Sequence, residues 1–175
     1  MLKTIALIAV AGIGLVLIAA AFRPDTFRVQ RSVRIAAPPA TIHAWINNVQ
    51  QMNSWSPFVK KDPSIKGTYR GPAAGPGAAY DFDGNGQVGK GSVEITGSTP
   101  EKITMKLDMR EPMEGHNVIE FSLVPQGKET EVTWAMHGPS PYIGKLVGLV
   151  FNMDKMIGRD FEAGLADLKA RAERA

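Results

Sequence analysis

Residues 102–137 read KITMKLDMREPMEGHNVIEFSLVPQGKETEVTWAMH, and their alternation decides the fold class. Ile103, Met105, Leu107 and Met109 fall on one face, and Asn117, Ile119, Phe121 and Leu123 on the next. Val132, Trp134 and Met136 follow on a third. Successive side chains of a strand point to opposite faces, so each block reads as a strand with one apolar side. Glu111-Pro112 and Gln126-Gly127-Lys128 separate the blocks with turn chemistry, which makes the neighbours antiparallel.

Working outward, the same pattern extends back to Ile65. Ala78, Tyr80 and Phe82 share a face, Gly84-Asn85-Gly86 and Ser98-Thr99-Pro100 are joints, and the phase slips at Gly89–Gly91, where a bulge is expected. Phe27, Val29, Val33 and Ile35 form an earlier strand, with Arg31 interrupting its apolar side. Ala37-Pro38-Pro39 ends that strand and opens a short amphipathic helix over 41–49, followed by a second small helix or turn over 50–55 that closes at Ser56-Pro57. After Gly138-Pro139-Ser140-Pro141, the residues Leu146, Val150, Met153, Ile157, Phe161, Leu165 and Leu168 recur near a period of 3.6. That predicts one long helix over 142–174. A meander of this length buries its apolar face only if the sheet curls and the helix lies across the concave side, leaving a cavity between them. Gly144 and Gly148 then read as close-packing positions against the sheet.

At the other end, Thr4–Phe22 (TIALIAVAGIGLVLIAAAF) is an uncharged 19-residue run. At about 1.5 Å per residue it is long enough to cross a hydrocarbon core of roughly 30 Å. Residues 1–22 therefore read as a transmembrane anchor or signal segment, 23–26 as a linker and 27–175 as one domain. The length of the run favours an uncleaved single-pass anchor, while Ala19-Ala20-Ala21 leaves open a protein secreted or periplasmic after signal cleavage. Export logic places the domain outside the cytoplasm, whereas the arginines after the run argue the reverse. The net charge of +3 and the absence of a basic arm exclude a nucleic-acid footprint. The absence of cysteine excludes disulfides and thiolate chemistry.

Several quoted stretches, namely Ile35-Ala36-Ala37-Pro38, Trp55-Ser56-Pro57, Tyr69–Gly77 (YRGPAAGPG), Gly138–Pro141 and Asn152–Met156 (NMDKM), resemble the polyketide cyclase/dehydrase group of the START-like (SRPBCC) superfamily. The resemblance covers about residues 28–172 and implies an α+β helix-grip fold with small-ligand binding in a cavity. It implies no particular reaction.

Motifs pointing elsewhere fail on context. Gly84–Gly89 (GNGQVG) matches a dinucleotide fingerprint in letters but joins two strands, and Asp81–Asn85 lacks the distal Glu of a calcium loop. His43, His116 and His137 lack metal-ligand spacing, so neither metal nor cofactor is expected. Trp55, Tyr80, Phe82, Met105, Phe121, Trp134, Met153, Met156 and Phe161 are the candidate cavity residues, with Trp55 readable as a core plug or a lid. Eight methionines suit an adaptable wall. Glu94, Asp108, His116 and Asn117 are the candidate polar groups of the interior. Three functions fit: membrane-tethered binding of a hydrophobic small molecule or lipid, acid-base cyclase or dehydratase chemistry on a polyketide-like substrate, and a non-catalytic interaction protein. Two inward polar groups would favour the second, and an exposed apolar patch the third.

Overall fold

The computed structural model describes residues 2–175. Helix α1 (Leu2–Ala21) leads into β1 (Thr26–Ile35), three short helices α2 (Pro39–Asn47), α3 (Val49–Trp55) and α4 (Pro57–Lys61), and strands β2 (Lys66–Arg70) and β3 (Ala79–Asp83). These are followed by β4 (Lys90–Thr99), β5 (Lys102–Glu111), β6 (Gly115–Gln126), β7 (Glu129–Pro139), α5 (Tyr142–Val150) and α6 (Met153–Ala172). Among the described residues the strands form one seven-stranded antiparallel sheet in the order β1-β7-β6-β5-β4-β3-β2. Strand β1 returns to pair with β7 along its whole length, from Thr26 opposite Pro139 to Ile35 opposite Thr130. The sheet curls around the C-terminal helix, which is the helix-grip architecture of the α+β class.

Local chemistry accounts for the elements. Pro39 and Pro57 stand at the first turns of α2 and α4, where a missing N–H costs nothing, and the Asn48 side chain caps α3 by accepting from Gln51 N–H. The short helix over 57–61 goes beyond the sequence expectation of two. The expected bulge is present between Lys90 and Gly91, and a second register shift lies between Ile95 and Gly97. Gly89 has φ +78°, and a Cβ there would stand 2.2 Å from the Glu111 carbonyl oxygen, so the turn admits only glycine.

The expected single helix over 142–174 is two helices. Phe151 and Asn152 are both extended, and the Asn152 side chain accepts from Lys155 N–H to start α6 afresh. Of the two, it is α6 that lies on the sheet. Its buried face carries Phe161, Leu165, Leu168 and Ala172, each of the first three worth about 1.5–3 kcal/mol when fully buried. Helix α5 packs on α1 instead, and a Cβ added at Gly148 would meet nothing within 4 Å, so the predicted close packing of Gly144 and Gly148 on the sheet is corrected. Helix α1 is long and apolar enough over Lys3–Ala21 to cross a membrane, by length and composition, as a signal sequence also would be.

Two glycines set how closely α6 approaches. At Gly158 the Arg31 guanidinium lies where a Cβ would be, 2.0 Å from its Nη2. At Gly164 a Cβ would fall 2.7 Å from the Trp134 ring and 2.9 Å from Pro57 Cδ. Gly164→Val should therefore lower unfolding free energy by about 1–3 kcal/mol in urea titration, the usual cost of overpacking a tight contact.

Candidate ligand cavity

Helix α6 fills the concave face from Phe161 onward, where Phe161 stacks on Trp134 with ring centroids 4.1 Å apart and planes at 9°. Ahead of Phe161 the sheet is left uncovered, and a cavity of about 1190 Å³ opens between sheet, short helices and the α5–α6 joint. That exceeds the roughly 300–1,000 Å³ of ordinary small-ligand sites. Its sheet wall comes from inward positions: Tyr80 and Phe82 of β3, Val93 of β4, Met105, Leu107 and Met109 of β5, Asn117, Ile119 and Phe121 of β6, and Trp134 and Met136 of β7. The opposite wall is Met52 and Phe58 of the short helices with residues 149–154, Met156 and Ile157 of α5, the joint and α6.

Of the aromatic and methionine candidates, Tyr80, Phe82, Met105, Phe121, Trp134, Met153 and Met156 line this space. Trp55 and Phe161 do not. Trp55 is a core plug, fully buried, edge-on to both Phe121 and Trp134 and donating its indole N–H to the Trp45 carbonyl at 3.1 Å. Phe161 is consumed by its stack on Trp134. Of the polar candidates only Asn117 lines the wall. Glu94, Asp108 and His116 sit on the opposite face of their strands, where Asp108 pairs with Lys106 and with His116 Nδ1 at 2.7 Å. Strand parity accounts for this: Asp108 lies between the inward Leu107 and Met109, and His116 precedes the inward Asn117.

The residues passed over include the aliphatic and methionine side chains of Val93, Leu107, Met109, Ile119, Met136, Met52 and Met113, and charged ones, among them Arg28, Lys61 and Glu114. Alternation had already placed most of the strand residues on the inward faces. Every methionine beyond Met1 lines the cavity: Met52 from α3, Met105 and Met109 from β5, Met113 from the next turn, Met136 from β7, and Met153 and Met156 from α6. A thioether chain is unbranched and polarizable, so such a wall adapts to the shape it holds.

The sheet wall carries neutral polar groups at Asn117, Tyr80 and Trp134, whose buried indole N–H has no partner among the described residues. The Asn117 amide occupies the space that a side chain on Gly138 would take, since a Cβ there would stand 2.2 Å from Asn117 Oδ1. The Tyr80 phenol lies over Gly67, and burial pushes its pKa above the ordinary 10.0, which keeps it a hydrogen-bonding hydroxyl. Two carboxylates also line the cavity, Glu114 and Asp154, of which Asp154 accepts from Arg31 Nη1 and Nη2 at 3.1 Å, while Arg31 Nε donates to Glu162 at 2.7 Å. The Arg31 hydrogen bond holds the Asp154 carboxyl below its ordinary value of 3.8. Beneath the β3–β4 turn, Asp62 is buried and accepts from Ser64 Oγ, Ser64 N–H and Asn85 N–H, which fixes that turn at the cavity edge and holds its own carboxyl low. Among the described residues no cluster of three His, Cys, Asp or Glu side chains has metal-binding geometry.

Residues 26–173 match the family described as polyketide cyclase/dehydrase and lipid transport. The chain belongs to that family. Its members' fold recurs in solved structures of low identity. One is a protein from Chromobacterium violaceum at 16% identity and TM-score 0.59, covering 86% of this chain and 99% of that one. Another is the di-domain aromatase/cyclase of the steffimycin biosynthetic pathway at 10% and 0.63, covering 85% of this chain and 51% of that one. A third is a major latex-like protein of Panax ginseng at 11% and 0.57, covering 85% and 99%. At such identities they establish the fold alone. No curated protein matches the chain in sequence.

Because Asp154 has a depressed pKa when folded, its pairing with Arg31 stabilises the protein fully above 3.8 and is lost as pH falls through the lower folded value. An Asp154→Asn variant should melt below the wild type at pH 7. The two melting curves should converge as the buffer is taken well under 3.8.

Proposed function

We propose that this family member is a membrane-tethered binding module that holds a hydrophobic small molecule or lipid in the cavity between sheet and helix. The observation that carries it is the wall: every methionine after Met1 converges on one space of about 1190 Å³. The neutral hydrogen-bonding groups of the sheet wall, Asn117 and Tyr80 among them, suit an amphiphile with a few oxygen functions. The family's description includes lipid transport, and the apolar α1 supplies a tether. A domain on residues 27–175 carried outside the cytoplasm by an uncleaved residue 1–22 anchor is the organisation this reading adopts.

Acid-base chemistry on a polyketide-like substrate draws less support. General acid-base groups work best with a pKa near the operating pH. Tyr80 is shifted away from neutrality, and Asp154 is held ionised by Arg31.

Native mass spectrometry with lipid extraction on the full chain, purified from its own host's membranes, tests the reading. A stoichiometric hydrophobic passenger is expected, and a consistently empty protein would overturn storage or carriage in favour of a transient substrate. The Val93→Phe/Leu107→Trp double variant narrows the space from two paired wall positions and should hold at least about tenfold less passenger, a loss of roughly 1.4 kcal/mol. Circular dichroism shows whether that variant keeps its fold.

A further inference from the structure

Some residues line the cavity and are exposed as well, and these mark its mouth. They include the large apolar Met113, Val150, Phe151, Met153 and Met156, beside the charged Arg28, Glu114 and Asp154. Val150 is 77% exposed and Phe151 60%. The adjoining α5 continues this surface with Tyr142 and Ile143, both exposed. The one charge on α5, Lys145, has its side chain only 9% exposed and pairs with Asp25, whose own side chain is exposed. A helix with no buried residue and no outward charge is poorly matched to water.

The same mouth abuts the chain's exit from α1. Arg23 and Pro24 line the cavity, Tyr142 Oη donates to the Leu17 carbonyl at 2.8 Å, and Ser140 N–H donates to the Asp25 carbonyl at 2.7 Å. Four residues separate α1 from β1, a span of at most about 14 Å even when stretched. The Tyr142 contact sits one turn inside the C-terminal end of α1, the depth at which tyrosines collect in membrane interfaces.

The geometry points to α5 and the Phe151–Met156 joint as a lip immersed in the bilayer surface, so that the cavity mouth opens directly into the lipid leaflet. The occupant of this apolar face is the membrane that holds α1. The ligand is then a bilayer-resident lipid that passes between leaflet and cavity without crossing water. The inference rests on the anchor and cavity readings above and adds the depth and orientation of the mouth.

The chain has no cysteine, so single cysteines can be introduced and labelled without interference. The full chain is reconstituted in phosphatidylcholine–phosphatidylglycerol vesicles containing a doxyl-labelled lipid, with an environment-sensitive fluorophore at Val150→Cys, Phe151→Cys, Met113→Cys, Leu15→Cys or Val124→Cys. Val124 is an exposed apolar residue toward the far end of β6 and serves as the control surface. Labels at 113, 150 and 151 should be quenched by the lipid and shielded from aqueous iodide, while 124 should behave oppositely. Labels at 150 and 151 as iodide-accessible as 124, with 15 quenched by lipid, would overturn the immersed lip and leave the anchor standing. A label at 15 that lipid does not reach would overturn the anchor itself. Uptake of a fluorescent phospholipid from the same vesicles should slow about tenfold in Val150→Asp/Phe151→Asp, since charge on a lipid-facing surface is penalised. Unchanged uptake in that variant would overturn exchange through the lip, and native mass spectrometry of the passenger separately reports whether the cavity binds at all.

Discussion

The arrangement depends on how closely α6 is held to the sheet. Arg31 projects from the inner side of β1, where alternation otherwise places apolar residues, and lies across α6 at Gly158 between Asp154 and Glu162. Further along, the Trp134–Phe161 stack closes over Gly164. A guanidinium that forks between two carboxylates fixes orientation as well as distance. These two contacts fix the helix axis relative to the sheet, and the concave surface they leave uncovered is the cavity. A side chain at Gly164 would meet the Trp134 ring and Pro57 and lift the helix, while one at Gly158 would displace the Arg31 guanidinium, which ties the size of the cavity to two positions on α6.

With α6 fixed, the segment before it cannot also serve the core. Phe151 and Asn152 turn the chain, and α5 leaves the sheet to pack on α1. The result couples the rim of the cavity to the N-terminal helix through Asp25, Ser140, Lys145 and Tyr142. A continuous helix would have kept those elements apart. The break thus does for the site what the two glycines do for the core, by deciding which surface is covered and which is left open.

Much of this was legible in the sequence because strand alternation is a strict two-residue rule. The inner faces of β3 to β7, the bulge near Gly91 and the hairpin at Gly84–Gly89 all follow from parity and turn chemistry. The break at 151–152 was not, because Leu146, Val150, Met153 and Ile157 keep a helical period straight through it. Periodicity reports that a helix has an apolar side and says nothing of which partner meets it. Among the aromatic candidates, Trp55 took the core-plug alternative and Phe161 also went to the core, since large rings are the ones a core buries first. Parity would have removed Glu94, Asp108 and His116, because each neighbours residues already assigned inward. Arg31 was visible as an interruption, and its meaning required the helix that crosses it.

Under the proposed function, a tether bears on how tightly such a cavity has to bind. With α1 in a bilayer, a linker of four residues keeps the mouth within a short span of the leaflet, so encounter with membrane is intramolecular. Short flexible linkages correspond to effective concentrations in the mM range. A module under that condition fills from a dilute membrane component at an affinity that would leave a free carrier empty, and it releases quickly because the binding is weak. An adaptable methionine wall with few fixed polar contacts suits such exchange, since a rigid, fully hydrogen-bonded site would lengthen residence. On that reading the selectivity of the site falls on the neutral polar groups of the sheet wall, Asn117, Tyr80 and the unpartnered Trp134 indole N–H.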